Sequence, residues 1–383
     1  FFQPEDGIRD FCLSRGLGDV YKRQGRTVRI LSLTTPPNIK EFKINIIDFK
    51  SNFFVSEIVV KRDIFVNNEL QFNGPEKLWE YVLISNSEKK FFYDDANRTE
   101  RLSWSLYPYL DTSLFDPHDP IRFTVGAELL AKYKFLPSTS ISGSLRQPVA
   151  GTLDDIKRGP KTGLPNVRSD FMYYHRDIAS NLFVNYLTLD QYLKPAPNVY
   201  ALVNIGFLEL MHAGVRAEVI WKNNKKPYGF GLDIAQVQKR DTNARFKLKN
   251  EHFNTYLASI YYDLQNDWII KVDGGRYLAG DFGSTISIKR TFNNGWEFGA
   301  YATLTDVPFS TFGEGSFDKG ITIKAPLNWF SGKKSRSYSS ATIKPITGDG
   351  GAKLHLSKEK YLYDKVSEYS KKNILDNWAR VFR

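Results

Sequence analysis

The chain has 383 residues, 42% of them apolar and 15% aromatic, so it can bury a large core and is not a disordered segment. No window approaches the ~18 consecutive apolar residues of a transmembrane helix, so any membrane role rests on strands. The net charge of +11 comes from basic residues scattered among acids; it suits an anionic polymer or lipid surface and does not point to nucleic acid.

Residues 1–24, FFQPEDGIRDFCLSRGLGDVYKRQ, have neither the layout of a signal peptide nor a hydrophobic period. They resemble a translated sequencing adapter and are set aside as non-native. Cys12 goes with them, which leaves no disulfide, no thiol nucleophile and no cysteine-ligated metal in the remainder. From residue 25 to 99 the pattern is that of a small α/β domain. TVRILSLT, EFKINIID and NFFVSEIVV read as short strands, and Gly74-Pro75 followed by EKLWEYVLI reads as a helix with proline in its first turn.

From residue 100 to 355 strand periodicity takes over. Ile121, Phe123, Val125, Ala127, Leu129, Ala131, Tyr133 and Phe135 share one face, opposite Arg122, Thr124, Gly126, Glu128, Lys132 and Lys134. Further strands are expected at 181–190, 199–207, 214–221, 227–238, 253–263, 320–327 and 338–346, with PVAGTLDDIKRGPKTGLPNVRS as the longest loop. The meander from Trp268 to Gly320 repeats the alternation, with Trp296, Phe298, Ala300, Ala302 and Leu304 opposite Glu297, Gly299, Tyr301, Thr303 and Thr305. Its turns are short and rich in Gly and Asn, so its neighbours are antiparallel.

So many amphipathic strands without helices between them either split into a soluble sandwich or close on themselves. The polar face favours closure with the apolar face outward over the sandwich. Arg122, Glu128, Lys132, Arg216, Glu218, Asp233, Lys271, Asp273, Asp281, Lys289, Glu297 and Lys324 lie opposite the apolar stripe, too many charges for a dry core but suited to a wet lumen. These twelve are the candidate lumen and polysaccharide-contacting residues. Trp221, Tyr228, Trp268, Trp296, Trp329 and Phe330, near strand ends, would form interfacial girdles. The fold expected is mainly β: an outer-membrane barrel of about fourteen antiparallel strands, with the α/β domain before it and an amphipathic helix over 356–383 after it. Leu362, Val366 and Tyr369 mark that helix, and Leu375, Trp378, Ala379 and Phe382 continue its stripe. With an even strand number, helix and α/β domain share the periplasmic side.

No catalytic arrangement emerges, and no cofactor or metal is expected. The five histidines are dispersed, and the GDG run at 348–350 lacks calcium-loop spacing and reads as a turn. An enzyme would need a close carboxylate pair in the lumen, for which Glu297 with Asp281 or Asp273 is the pairing to inspect.

The blocks GFLELMHAGVRAEVIW, YGFGLDIAQVQKRD, GGRYLAGDFGSTISIKRTFNNGWEFGAYATLTDV, FGEGSFDKGITIKAPLNWF and LPNVRSDF resemble the C-terminal half of the YjbH family of exopolysaccharide-production proteins, related to the GfcD proteins of capsule assembly. The resemblance implies a Gram-negative outer-membrane barrel, often a lipoprotein, that works with outer-membrane lipid, an extracellular polysaccharide and the periplasmic and outer-membrane export proteins of one pathway. It supplies no catalytic residue. The role expected is a non-enzymatic component of polysaccharide secretion with the lumen as conduit. Its rivals are a scaffold with a plugged lumen and a polysaccharide-modifying enzyme.

Overall fold

A computed structural model describes residues 8–13, 27–48, 51, 53–91, 101–114, 118–157, 159, 163–264, 267–292, 294–312, 317–326, 338–344, 348–357, 360–371 and 374. Two sheets organise them. The first contains β1 (Ile8–Leu13), β2 (Glu41–Asp48), β3 (Phe53–Lys61) and β4 (Leu83–Asn86) in that order, with β1 parallel to β2 and the other pairs antiparallel. The edge strand β1 thus falls within the segment set aside as non-native.

Helix α1 (27–34) is the segment TVRILSLT, which β-branched content marks as a strand; the structure makes it a helix. The reason lies in burial at helical spacing, since Val28, Leu31, Ser32 and Thr35 are the inward positions. Tertiary packing overrides a weak local preference there. Helices α2 (Arg62–Asn68) and α3 (Gly74–Tyr81) complete the domain, and the end of the expected helix, Leu83 and Ile84, belongs to β4. Phe42, Ile44, Ile58, Val60, Phe65 and Leu78 form its core.

The second sheet has thirteen strands, close to the expected fourteen, paired in strict sequence order. They are β5 (Leu102–Leu114), β6 (Ile121–Leu136), β7 (Thr139–Gly151), β8 (Phe183–Ala196), β9 (Val199–Phe207), β10 (His212–Lys222), β11 (Tyr228–Arg240), β12 (Leu248–Asp263), β13 (Trp268–Arg276), β14 (Phe282–Thr291), β15 (Glu297–Thr305), β16 (Asp318–Pro326) and β17 (Tyr338–Ile343). Every neighbouring pair is antiparallel, and the sheet curls into a nearly closed barrel. Because the number is odd, β5 and β17 run in the same direction. Helix α4 (Phe171–Ile178), between the expected loop and the strand expected at 181–190, precedes β8.

The barrel is apolar outside and charged inside. Along β6, Ile121, Phe123, Val125, Leu129, Tyr133 and Phe135 are exposed while Arg122 and Glu128 are buried. The same alternation exposes Ile260 and Tyr262 on β12 and Phe298 and Leu304 on β15, with Ser259 and Thr303 turned inward. That distribution inverts a soluble core and fits lipid contact. Trp221 stacks on Tyr228, and Trp296 on Phe298, where their strands meet the α/β domain end. Trp329 and Phe330 lie outside the described residues.

The α/β domain covers one end of the barrel, called the near mouth. Lys194, close to the end of β8, donates its ammonium hydrogens to the carbonyls of Phe54, Ser87 and Lys89 at 2.5, 2.5 and 2.8 Å. Phe53 meets Tyr192 and Tyr200 edge-on, and the Asn86 side chain bonds to Asn224 beyond β10. The opposite, far mouth carries the longest connection, with α4 and a 3-10 turn at Leu153–Asp155.

Glycine matters where two strands are tightly apposed. Gly275 of β13 has φ +145°, and a Cβ there would lie 2.0 Å from the Tyr256 carbonyl oxygen, whereas one on the adjacent Gly274 would meet nothing closer than 3.6 Å. Gly275→Ala should therefore destabilise the barrel by about 2 kcal/mol or more, read as a lower urea midpoint for loss of the heat-modifiable band. Gly274→Ala, the neighbouring control, should shift that midpoint little.

Candidate functional site

The lumen is occupied by the chain's own C-terminal segment. After β17 the backbone is at the far mouth, and residues 348–357 and 360–371 lie between the barrel walls on the way back to the near mouth. The expected C-terminal helix is present as α6 (Leu362–Ser367), following the one-turn α5 (Phe309–Phe312), but enclosed by the barrel. Leu362 and Val366 are fully buried and Tyr369 nearly so. Leu375, Trp378, Ala379 and Phe382 lie outside the described residues.

At the far mouth a carboxylate fixes the entering segment. Asp349 accepts the backbone N–H groups of Val167, Arg168 and Ser169 at 2.9, 2.7 and 2.9 Å and the Ser169 hydroxyl at 2.6 Å. The GDG run is thus a turn whose central side chain ties it to the loop before α4. Arg168 donates to the Lys353 carbonyl at 2.6 Å and pairs with Glu209 at 2.8 Å. Glu209 also accepts the His355 N–H at 2.6 Å and contacts the His212 ring nitrogen at 2.5 Å. Burial alone would raise the Glu209 carboxyl, but the Arg168 guanidinium and the bonded His212 outweigh it and hold the group below the usual carboxylate range.

Midway down, strand alternation gathers three of the predicted residues. Arg216 and Glu218 are two apart on β10, and Asp233 stands opposite Glu218 on β11. Arg216 donates to Asp233 at 2.8 and 2.5 Å, to Glu218 at 3.0 Å, to the Asn204 side chain at 3.1 Å and to the Lys360 carbonyl at 3.0 Å. These bonds use all five hydrogens of the guanidinium fork. Glu218 accepts the Leu362 N–H at 3.1 Å, so wall and tail share one network.

Two further groups follow the same rule. Lys271 and Asp273 of β13 pair at 2.9 Å, and Lys353 of the tail joins Asp273 at 2.5 Å. Lys289 pairs with Asp364 of the tail at 2.7 Å and lies 3.9 Å from Glu297, which is 3.8 Å from Lys324. Asp281 accepts the Gly351 N–H at 2.8 Å from the β13–β14 turn. It does not pair with Arg276, whose guanidinium bonds to the Tyr256 hydroxyl. Arg122, Glu128 and Lys132 of β6 also face inward. Arg122 bonds to the Thr152 carbonyl, Glu128 to Arg146 and Ser144, and Lys132 lies over the Tyr192 ring.

The carboxylates singled out for catalysis do not meet. Glu297 is in register with Thr291 at one end of β14, and Asp281 directly precedes the other end. Nine strand residues separate those ends, about 30 Å at ~3.3 Å per residue. Asp273 is opposite Thr285, six residues from Thr291 and about 20 Å away. Each is already held by a cation or an N–H donor. Among the described residues no cluster of His, Cys, Asp and Glu could hold a metal.

A cavity of about 50 Å³ is left between β10–β13 and the tail, lined by Arg216, Asp233, Tyr261, Lys271, Lys353 and Tyr361 among others. That is room for water and well short of the roughly 300 Å³ of a small-molecule pocket. The tail residues Asp349, Lys353, Lys360 and Asp364 were not among the candidates from sequence. Their signal was the charge interleaved with Leu354, Leu356 and Leu362, which marks a segment meeting a polar wall as well as an apolar one.

Residues 17–368 match the family model described as exopolysaccharide biosynthesis protein YbjH. A curated relative, the uncharacterized lipoprotein YjbH of Escherichia coli strain K12, is 29% identical over 306 residues, 77% of this chain and 42% of its own length. The chain thus spans less than half the length of that relative.

Two expectations test the plugged lumen. Arg216→Met leaves Asp233 and Glu218 without their cation, should cost about 3–5 kcal/mol, and should make the tail cleavable by protease in the intact barrel. Acidification should act at the far mouth. Glu209 is depressed in the folded state, so its contribution is complete above its ordinary value of 4.5 and is lost as pH falls toward the depressed value. Hydrogen exchange of residues 349–357, corrected for intrinsic rates, should rise on going from about pH 5 to about pH 3. Glu209→Gln should show raised exchange at neutral pH and no such acid step.

Proposed function

The chain belongs to the exopolysaccharide biosynthesis family whose model it matches, and we propose that it is a non-enzymatic outer-membrane barrel of polysaccharide production that rests plugged and serves as a scaffold for export partners. The observation that carries this reading is the filled lumen: the tail engages Asp273, Lys289, Arg216 and Glu218, and the cavity beside Arg216 and Lys353 has room for no more than water. A polymer conduit needs a continuous wet path with weak, exchangeable contacts. Here those contacts are taken by the chain itself.

The outer-membrane setting is supported by the apolar outward face and by strands of 9 to 16 residues over most of the barrel, against the ~9–11 that span a bilayer. It also accords with the lipoprotein relative. Most turns on the domain side are short, as at 137–138 and 197–198, with 327–337 the exception, and the longest connection, 152–182, is at the far mouth. By the usual asymmetry of such barrels the α/β domain is periplasmic and the far mouth extracellular. Periplasmic partners would then meet the α/β domain.

A second reading, a gated conduit, is favoured by one feature. The upper tail, 349–357 and Lys360, is held by hydrogen bonds and ion pairs that water can replace, besides the small apolar cluster of Ala352, Leu354 and Leu356. Planar-bilayer recording with the full chain and with a variant lacking 348–383 tests the plug: the full chain should be nearly silent and the deletion should conduct. Restoration of surface polymer in a deficient host separates the two roles. A scaffold predicts that the deletion variant fails to restore polymer, whereas restored export would favour the conduit. Equal silence of both forms in the bilayer would overturn the plug.

A further inference from the structure

We propose that the α/β domain is the latch of the lumen plug: it and the lower half of the tail form one cooperative body, so loosening the domain from the near mouth releases the tail. This rests on the plugged-lumen reading and adds what controls it.

The tail has two unlike halves. Its upper half combines the polar contacts described with a small apolar cluster, Ala352, Leu354 and Leu356 against Val167, Leu208 and Val237. Its lower half is apolar, and the partners of that half are not only the barrel wall. Leu362, Tyr363, Val366, Tyr369 and Ile374 belong to one continuous hydrophobic cluster with Phe42, Phe53, Val55 and Ile58 of the domain and with Tyr192, Tyr200 and Tyr261 of the near mouth. Burying side chains of this size stabilises far more than a water-exchangeable polar contact does. The anchorage of the tail therefore lies where it meets the domain.

Polar contacts fix the same junction. Ser56 of β3 donates its hydroxyl to the Tyr369 carbonyl at 2.6 Å while accepting from the Asn224 side chain at 2.6 Å. One serine thus joins domain, tail and barrel rim. The Lys371 N–H bonds to the Asn224 carbonyl at 3.2 Å, and its ammonium lies 5.5 Å from the centre of the Trp79 ring of α3. Asp48 of β2 is surrounded by burial, which would raise its carboxyl, and by Lys365 of α6 and Ser51, which together keep it lowered. The domain itself is fastened to the barrel rim by Lys194 and its three carbonyl acceptors. Wherever the domain goes, the lower tail goes with it.

The test weakens the domain at a distance from the tail. Phe65 of α2 is fully buried in the domain core. In the full chain, Phe65→Ala should raise hydrogen exchange of β2 and β3 roughly hundredfold and raise that of residues 362–371 by a comparable factor, with β10–β13 unchanged. Val60→Ala, a milder lesion, serves if the first variant does not fold, and should move domain and tail together by a smaller factor. In the reverse direction Tyr369→Ala should raise exchange of β3. Domain exchange that rises while 362–371 stays protected would overturn the latch. Bilayer recording of the variant lacking 348–383 reports on the plug independently, so a conducting deletion with an uncoupled domain would remove the latch and leave the plug.

Discussion

Charges that face the inside of a barrel must find partners there, and this constraint shapes most of the molecule. Once strand alternation commits the apolar side chains to the outside, Arg216, Glu218, Asp233, Lys271, Asp273 and Lys289 are committed to the inside. In a wide open channel, water would solvate them. Here the interior is narrow enough for one chain segment to reach several walls, and the segment brings complementary groups. Lys353 meets Asp273, Asp364 meets Lys289, and backbone groups at Lys360 and Leu362 complete the bonds of Arg216 and Glu218. Removing one member of such a set leaves an unpaired charge in a poorly hydrated place, which costs several kcal/mol. The wall and its filling are therefore mutually dependent.

The parts of the fold governed by a two-residue period were legible in the sequence. The face of β6 that reads as apolar is the face that is exposed, and β9 begins and ends where the alternation does. Features that depend on contacts distant in sequence were not. TVRILSLT has the composition of a strand and becomes a helix because its buried positions are set by the sheet beneath it. Helix α4 is short and follows a stretch rich in Gly and Pro, so its local signal is weak. The twelve inward candidates were chosen on alternation alone, which gives direction but not partner. Alternation placed Arg216, Glu218 and Asp233 on facing positions, yet it could not show that a segment more than a hundred residues later would close their network. For the tail, the apolar stripe was visible, while its enclosure followed from an odd strand number that spacing could not fix.

The functional picture changes accordingly. A mixed-charge lumen suggests a path for a polar polymer when only the wall is considered. With the tail in place the same charges act as internal adhesive, and the surface left for partners is the α/β domain, the rims and the outward belt. The chain belongs to a family described by exopolysaccharide biosynthesis; on the proposed reading, a barrel filled at rest would act by what it holds together or by what it lets through after rearrangement.

The odd count of strands carries one more consequence, which concerns how the molecule is made. Since β17 ends at the mouth opposite the α/β domain, the segment that follows must travel the full depth of the barrel to meet that domain. It is also the last part of the described chain to leave the ribosome. The sheet can be laid down strand by strand in order of synthesis, but its interior charges stay unmatched until this final segment is captured. Capture of this segment is thereby recorded in the stability of the whole, and a barrel without it would be hydrated within.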